Sequence, residues 1–261
     1  MLESVVLGVV QGAIEWLPVS SEGVVTAVGS LLFDLTLPEA LAFSLWLHLG
    51  TAIAATIAFR HELTEVAREA LQDPKHPSPF LRFLVLGTAF SAVIGFPMLL
   101  VLDNWSIVIG GSAMLTVGVA MLVTAVVLRT RPTQGLRDRN DLTMADAVVF
   151  GIAQGFATVP GLSRSGLTVA ALLGRGLTKG EALAVSFVMS IPASAGAALV
   201  AAFDSDGPTL TEGIVGATVA TVVGVATIKA LLSVAERINL AAFVAGLGLL
   251  VIGGGAIPLL S

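Results

Sequence analysis

Two short stretches decide how this chain is read: Pro18-Val19-Ser20-Ser21-Glu22-Gly23 and Pro160-Gly161-Leu162-Ser163-Arg164-Ser165-Gly166. Each interrupts a long apolar stretch, 4–33 or 144–176, near its middle. A straight spanning helix does not carry proline, glycine, serines and charge at its centre. Broken backbone at membrane depth is tolerated only where protein or a wet cavity surrounds it. Both stretches therefore read as re-entrant hairpins: helix in, polar turn, helix out on the same side. Six further apolar stretches can each cross a hydrocarbon core about 30 Å thick: 39–59, 80–102, 105–129, 180–203, 209–231 and 238–258. The expected fold is an all-α integral membrane protein, one membrane domain over residues 1–261.

Composition agrees. Of the 261 residues 56% are hydrophobic and 12% charged, with a mean hydropathy of +0.96. Soluble domains average about 45–50% apolar and about 25% charged residues. The absence of cysteine excludes disulfides, thiolate metal sites and a thiol nucleophile. A diffuse net charge of −5 does not point to nucleic acid, and the start, Met1-Leu2-Glu3, lacks the basic region of a signal peptide.

Charge tests the hairpins. If each returns to its own side and the six other segments cross, the loops 60–79, 129–143 and 232–237 share a side with the second hairpin's mouth. Every lysine and arginine except Arg164 then falls on that side, while Asp34, Asp103, Asp204, Asp206 and Glu212 lie opposite. The positive-inside rule makes the basic side cytoplasmic. Both termini are then extracytoplasmic in a multi-pass protein of the cell membrane.

The halves repeat at an offset of 143 residues. QGAIEWLPVSSEG (11–23) set on QGFATVPGLSRSG (154–166) matches Gln11 with Gln154, Gly12 with Gly155, Ser20 with Ser163 and Gly23 with Gly166. PEALAFS (38–44) faces GEALAVS (180–186) at offset 142. Residues 1–129 and 144–258 each hold one hairpin and three crossings. Three is odd, so the second repeat is inverted, an architecture found in transporters. The polar breaks then meet near the midplane.

Gln11 and Glu15 share a helix face one turn apart, followed by Ser20, Ser21 and Glu22. Arg164, flanked by Ser163 and Ser165 with Thr168 one turn on, occupies the facing break. Ionisable groups at this depth are costly and mark function by default. Glu15 and Arg164 can also be read as a plain salt bridge locking the repeats. Four hydroxyls and glycine-flanked turns fit better with a phosphate cradle. Carboxylates beside a phosphate suggest a divalent cation or a general base. His48 reads as a hydrogen-bonded core histidine, His61 and His76 as solvated. Trp16, Trp46 and Trp105 read as packing or interfacial anchors. The arginines at 129, 131, 137 and 139 are expected against anionic headgroups.

These residues also carry a resemblance. QGAIEWLPVSSEG resembles the (E/Q)xxxE–P–SS–G motif, and PGLSRSGLT (160–168) the PGxSRSxxT motif, of the undecaprenyl-diphosphate phosphatase family, the BacA/UppP type. HLGTAIA (48–54) and SFVMSIPA (186–193) are similar to further family segments. The resemblance spans essentially the whole chain. It implies hydrolysis of a polyprenyl, undecaprenyl-type diphosphate to the monophosphate and inorganic phosphate, recycling the lipid carrier for cell-envelope glycan synthesis. Carried over by position, Glu15, Ser21 and Arg164 are catalytic, and Glu22, which departs from the family's pattern, joins them as a candidate base. Gln11, Ser20, Ser163, Arg164, Ser165 and Thr168 bind the diphosphate, and Glu15 and Glu22 hold a divalent cation, Mg2+ or Ca2+. Membrane lipids surround the protein, and a homodimer is left open. A departure is Val24, where the family commonly has histidine; Glu22 stands where Thr or Ser is usual. The base is then to be sought at Glu22, Glu15 or His48. The rival reading is a transporter that flips polyprenyl phosphate lipids on the same fold.

Overall fold

The computed structural model describes residues 1–102, 113–130, 135–159, 162–203, 206–234, 237 and 239–260. Pro160 and Gly161 of the second break, Trp105, Arg131, Asp103 and Asp204 lie outside them, as does the start of the expected span 105–129. The described residues form helices α1 (Leu2–Ile14), α2 (Ser21–Phe33), α3 (Leu37–Ala58), α4 (Arg60–Gln72), α5 (Pro79–Leu102), α6 (Ala113–Arg129), α7 (Met144–Phe156), α8 (Arg164–Gly174), α9 (Lys179–Ala201), α10 (Leu210–Val234) and α11 (Leu240–Leu260). Among them there is no strand, only an isolated bridge between Arg137 and Leu177. α3, α9, α10 and the Pro79–Met98 stretch of α5 are long and apolar enough to cross a membrane. This is a multi-pass helical membrane protein. Its outward face is apolar accordingly: Val93 and Phe96 on α5 are 70% and 63% exposed.

Both breaks fall where the sequence puts them, and for local reasons. α1 runs to Ile14, and α2 starts after Ser20, whose Oγ accepts from the Gly23 N–H at 3.2 Å. α8 starts after Ser163, whose Oγ accepts from the Gly166 N–H at 3.1 Å. Such caps satisfy donors that a helix start otherwise leaves unpaired. Pro18, ahead of the first cap, keeps α1 from continuing. α1, α2 and α7 have 13 residues each and α8 has 11. At 1.5 Å per residue, 13 residues reach about 20 Å, short of a hydrocarbon core of about 30 Å.

The helices pack in an exchanged pattern. α1 lies against α10, and α7 against α5; α3 packs on both α9 and α10, and α6 on α11. Two glycines make each of the first two contacts close. A Cβ on Gly12 would stand 2.6 Å from the Ala220 carbonyl oxygen, and Gly8 meets Gly216. A Cβ on Gly155, 143 residues after Gly12, would stand 2.6 Å from Ile94 Cβ, and Gly151 meets Phe90. Small residues one turn apart let helix backbones approach in membranes, where dispersion replaces the hydrophobic drive. The interior joins Trp16 to Phe187 and Phe83 to Phe150, each pair edge-on with centroids 5.3 Å apart.

Two features depart from the sequence reading. Residues 60–72, expected only as part of a charged loop, form helix α4; Leu63 and Val66, three apart, pack against the core while Arg60, Glu65 and Arg68 are exposed. Arg137 and Arg139, expected at lipid headgroups, turn into the protein. Arg137 and Arg175 both pair with the fully buried Asp146 at the start of α7. Arg139 pairs with Glu181 at 2.8 Å and lies over the Phe80 ring. A carboxylate buried at a helix start must be paired, and a nearby arginine supplies that more surely than lipid.

Candidate active site

The two breaks meet at one carboxylate. Glu15, at the end of α1, is 4% exposed. Its Oε2 accepts from Gln11 Nε2 at 2.8 Å and from Ser21 Oγ at 2.6 Å. Its Oε1 accepts from Arg164 Nη2, 149 residues along the chain. Ser21 and Arg164 are the first residues of α2 and α8 and stand 143 residues apart. Helix N-termini carry partial positive charge and unpaired N–H groups. Two such ends therefore address the same anion, one with a hydroxyl and one with a guanidinium.

The hydroxyls expected to bind substrate divide by what they touch. Ser20 and Ser163 cap their helices. Ser165 Oγ donates to the Leu17 carbonyl at 2.6 Å and lies 3.2 Å from Ser163 Oγ, tying the second break to the first. Thr168 Oγ1 donates to the Arg164 carbonyl at 2.8 Å and lies 2.7 Å from Ser186 Oγ on α9. Ser21 is the hydroxyl engaged with the carboxylate. Glu22, one residue on, is half-buried and has no hydrogen bond or ion pair among the described residues. Gln11 Oε1 is buried without a partner.

His48, one of the three base candidates, lies beside this site and keeps the hydrogen bond expected of a core histidine. Its Nδ1 is bonded to the Ser44 carbonyl at 2.8 Å, so Nδ1 carries the donated proton. That bond turns Nε2 toward Glu15 Oε2, 3.7 Å away. Its sequence signal was a lone ionisable group inside an apolar span. Among the described residues no three histidines or acids form a ready metal cage.

Comparison with known proteins agrees with the geometry. Residues 4–252 match the family described as Bacitracin resistance protein BacA. A protein of Methanococcoides burtonii named undecaprenyl-diphosphatase is 38% identical over 259 residues, covering 95% of this chain and 96% of its own. One of Pyrobaculum aerophilum with the same name is 35% identical, covering 98% and 97%. Another, from Methanopyrus kandleri, is 39% identical, covering 74% and 72%. With nearly every residue matched and both breaks included, this chain belongs to the BacA family.

Proposed function

We propose that this protein is a membrane phosphatase that hydrolyses a polyprenyl, undecaprenyl-type diphosphate to the monophosphate and inorganic phosphate, so returning a lipid carrier to glycan synthesis at the cell envelope. The observation that carries the reading is the Ser21–Glu15–Arg164 constellation, in a chain whose relatives are named undecaprenyl-diphosphatase. The terminal phosphate lies between the starts of α2 and α8. Arg164 neutralises charge on the transferred phosphoryl group, whose transition state is stabilised by positioning and electrostatics. Ser21 attacks the phosphorus or orients the attacking water, and Glu15, already bonded to its hydroxyl, takes the proton. The bridging P–O bond breaks and the lipid monophosphate leaves; where water attacked, inorganic phosphate is formed directly, and where Ser21 attacked, water then cleaves the phosphoserine, releasing inorganic phosphate and restoring the serine hydroxyl.

A divalent cation fits the oxygen donors. Glu22 is unengaged and Gln11 Oε1 unpartnered, while Glu15 already has three hydrogen-bond partners. Mg2+ is commonly held by one or two carboxylates together with substrate phosphates. Glu15 and Glu22 would hold Mg2+ or Ca2+ in that way, and the ion would screen phosphate charge. Ser20, Ser163, Ser165 and Thr168 keep the two breaks in register, so that their contribution to diphosphate binding is positional.

The deciding experiment measures phosphate release from farnesyl and undecaprenyl diphosphates by the purified protein, with and without EDTA. Release in detergent, with no second compartment, is the expected outcome; EDTA lowers it. No release from either lipid would overturn the reading. The transporter reading gains nothing from the relatives, whose names specify hydrolysis.

The proposed architecture is an inverted repeat of six spans and two re-entrant hairpins, divided as 1–129 and 144–258, with both termini extracytoplasmic. It is supported by the short helices beside each break, by the paired Ser caps, and by glycine contacts recurring 143 residues apart. In intact cells, an externally applied thiol reagent is expected to modify Asp206→Cys and not Lys75→Cys. The opposite labelling pattern would sink the inverted arrangement.

A further inference from the structure

An anion already sits where the phosphate is expected. The Glu15 carboxylate is held by the first residue of α2 and the first residue of α8, the two helix starts that also favour an incoming phosphate. We propose that Glu15 stands in for the terminal phosphate on Arg164, and that substrate must displace it: the Glu15–Arg164 pair is a latch that opens on binding. The proposal rests on the phosphatase reading above and adds an order of events to it.

Three observations support the exchange. The first is charge. Glu15 and Glu22 bring two carboxylates to a site where, among the described residues, Arg164 is the one guanidinium bonded to either, and that guanidinium is already neutralised. A diphosphate gains little from Arg164 until Glu15 yields it. The second is geometry. Only Oε1 is on Arg164, whereas Oε2 keeps Gln11 and Ser21 and has His48 Nε2 3.7 Å away. A rotation about Oε2 therefore breaks one contact and keeps the rest. The third is access. Arg164 retains 15% of its side-chain exposure while Glu15 retains 2%. An arriving anion reaches the guanidinium first.

A latch lowers apparent affinity by the fraction of molecules in which it is open. Removing the carboxylate should therefore strengthen phosphate binding while abolishing turnover, an unusual combination for a residue in an active site. The probe is farnesyl methylenediphosphonate, which resists hydrolysis, titrated calorimetrically into detergent-solubilised protein in EDTA. Glu15→Gln keeps the hydrogen bonds to Gln11 and Ser21 without the charge. It is expected to bind the probe about tenfold tighter than wild type and to release no phosphate from farnesyl diphosphate. Glu15→Ala should show the same gain, and Glu15→Asp, one methylene shorter, part of it. Adding Arg164→Gln to Glu15→Gln should erase the gain. Unchanged or weaker binding in the folded Glu15 variants, with wild type still active, overturns the latch alone. If wild type neither binds the probe nor releases phosphate from farnesyl diphosphate, the phosphatase reading itself falls.

Discussion

Arg164→Lys is expected to lose about 10²–10³-fold in turnover of polyprenyl diphosphate while remaining folded. That is the usual consequence of removing one well-placed donor from a transition state. Lysine keeps the positive charge beside the buried Glu15, so the fold does not inherit an unpaired carboxylate. It cannot, however, supply the planar fork of donors that grips a phosphate on two oxygens. The loss should appear mainly in kcat, read by phosphate release, with thermal unfolding as the control. Arg164→Gln makes the contrast, since it strands Glu15 without a cation. Breaking a buried pair in this way costs about 3–5 kcal/mol, so this variant should lose stability as well as activity. Near-normal turnover by Arg164→Lys would mean that the pair with Glu15 is a lock between the two breaks and nothing more.

Ser21→Ala should be equally severe, and its neighbour supplies the control. Ser20 and Ser21 are adjacent and both buried, yet their hydroxyls do different things. Ser20 caps α2 through the Gly23 N–H, while Ser21 donates to Glu15. Losing a nucleophile, or the hydroxyl that couples water to its base, removes a contribution of roughly 10²–10⁴ in rate. Ser21→Ala should therefore show that loss with little change in melting temperature. Ser20→Ala should do the reverse, destabilising by about 1 kcal/mol, the usual cost of a lost cap, with turnover reduced far less. If the two variants lose activity equally, Ser21 is a second structural serine and the attacking group lies elsewhere.

How much of this was legible in the chain depends on what each residue needs. The breaks were legible because prolines, capping serines and glycines act locally, and an apolar background makes them stand out. The meeting of Glu15 and Arg164 was legible because charge inside apolar segments is too costly to be incidental, and Ser21 because it lies in the same break. The division of labour among the hydroxyls was not. Whether Ser165 meets substrate or the Leu17 carbonyl depends on a contact 148 residues away, and no local pattern encodes it. Glu22 illustrates the same limit: its motif position puts it beside Ser21, yet Ser21 donates instead to Glu15, six residues back. His48 was underweighted because a histidine bonded to its own helix is common. The bond to Ser44 is present, and it is also what aims the other ring nitrogen at the site.

The crossed packing of α1 on α10 and α7 on α5 has a consequence for how the protein is made. α1 emerges from the ribosome well before its partner surface around Gly216 and Ala220, which is about 200 residues downstream. At synthesis rates of about 5–20 residues per second, α1 waits roughly 10–40 s for that surface. Through this interval the glycine face of a short helix lacks α10 to pack on, although α2 and α3, translated next, already bring Ser21 and His48 to Glu15. α7 has no such wait, because α5 is already in place when it is translated. Glu15 likewise waits for Arg164, 149 residues downstream, so the order of birth leaves the carboxylate without its guanidinium until the second break is made.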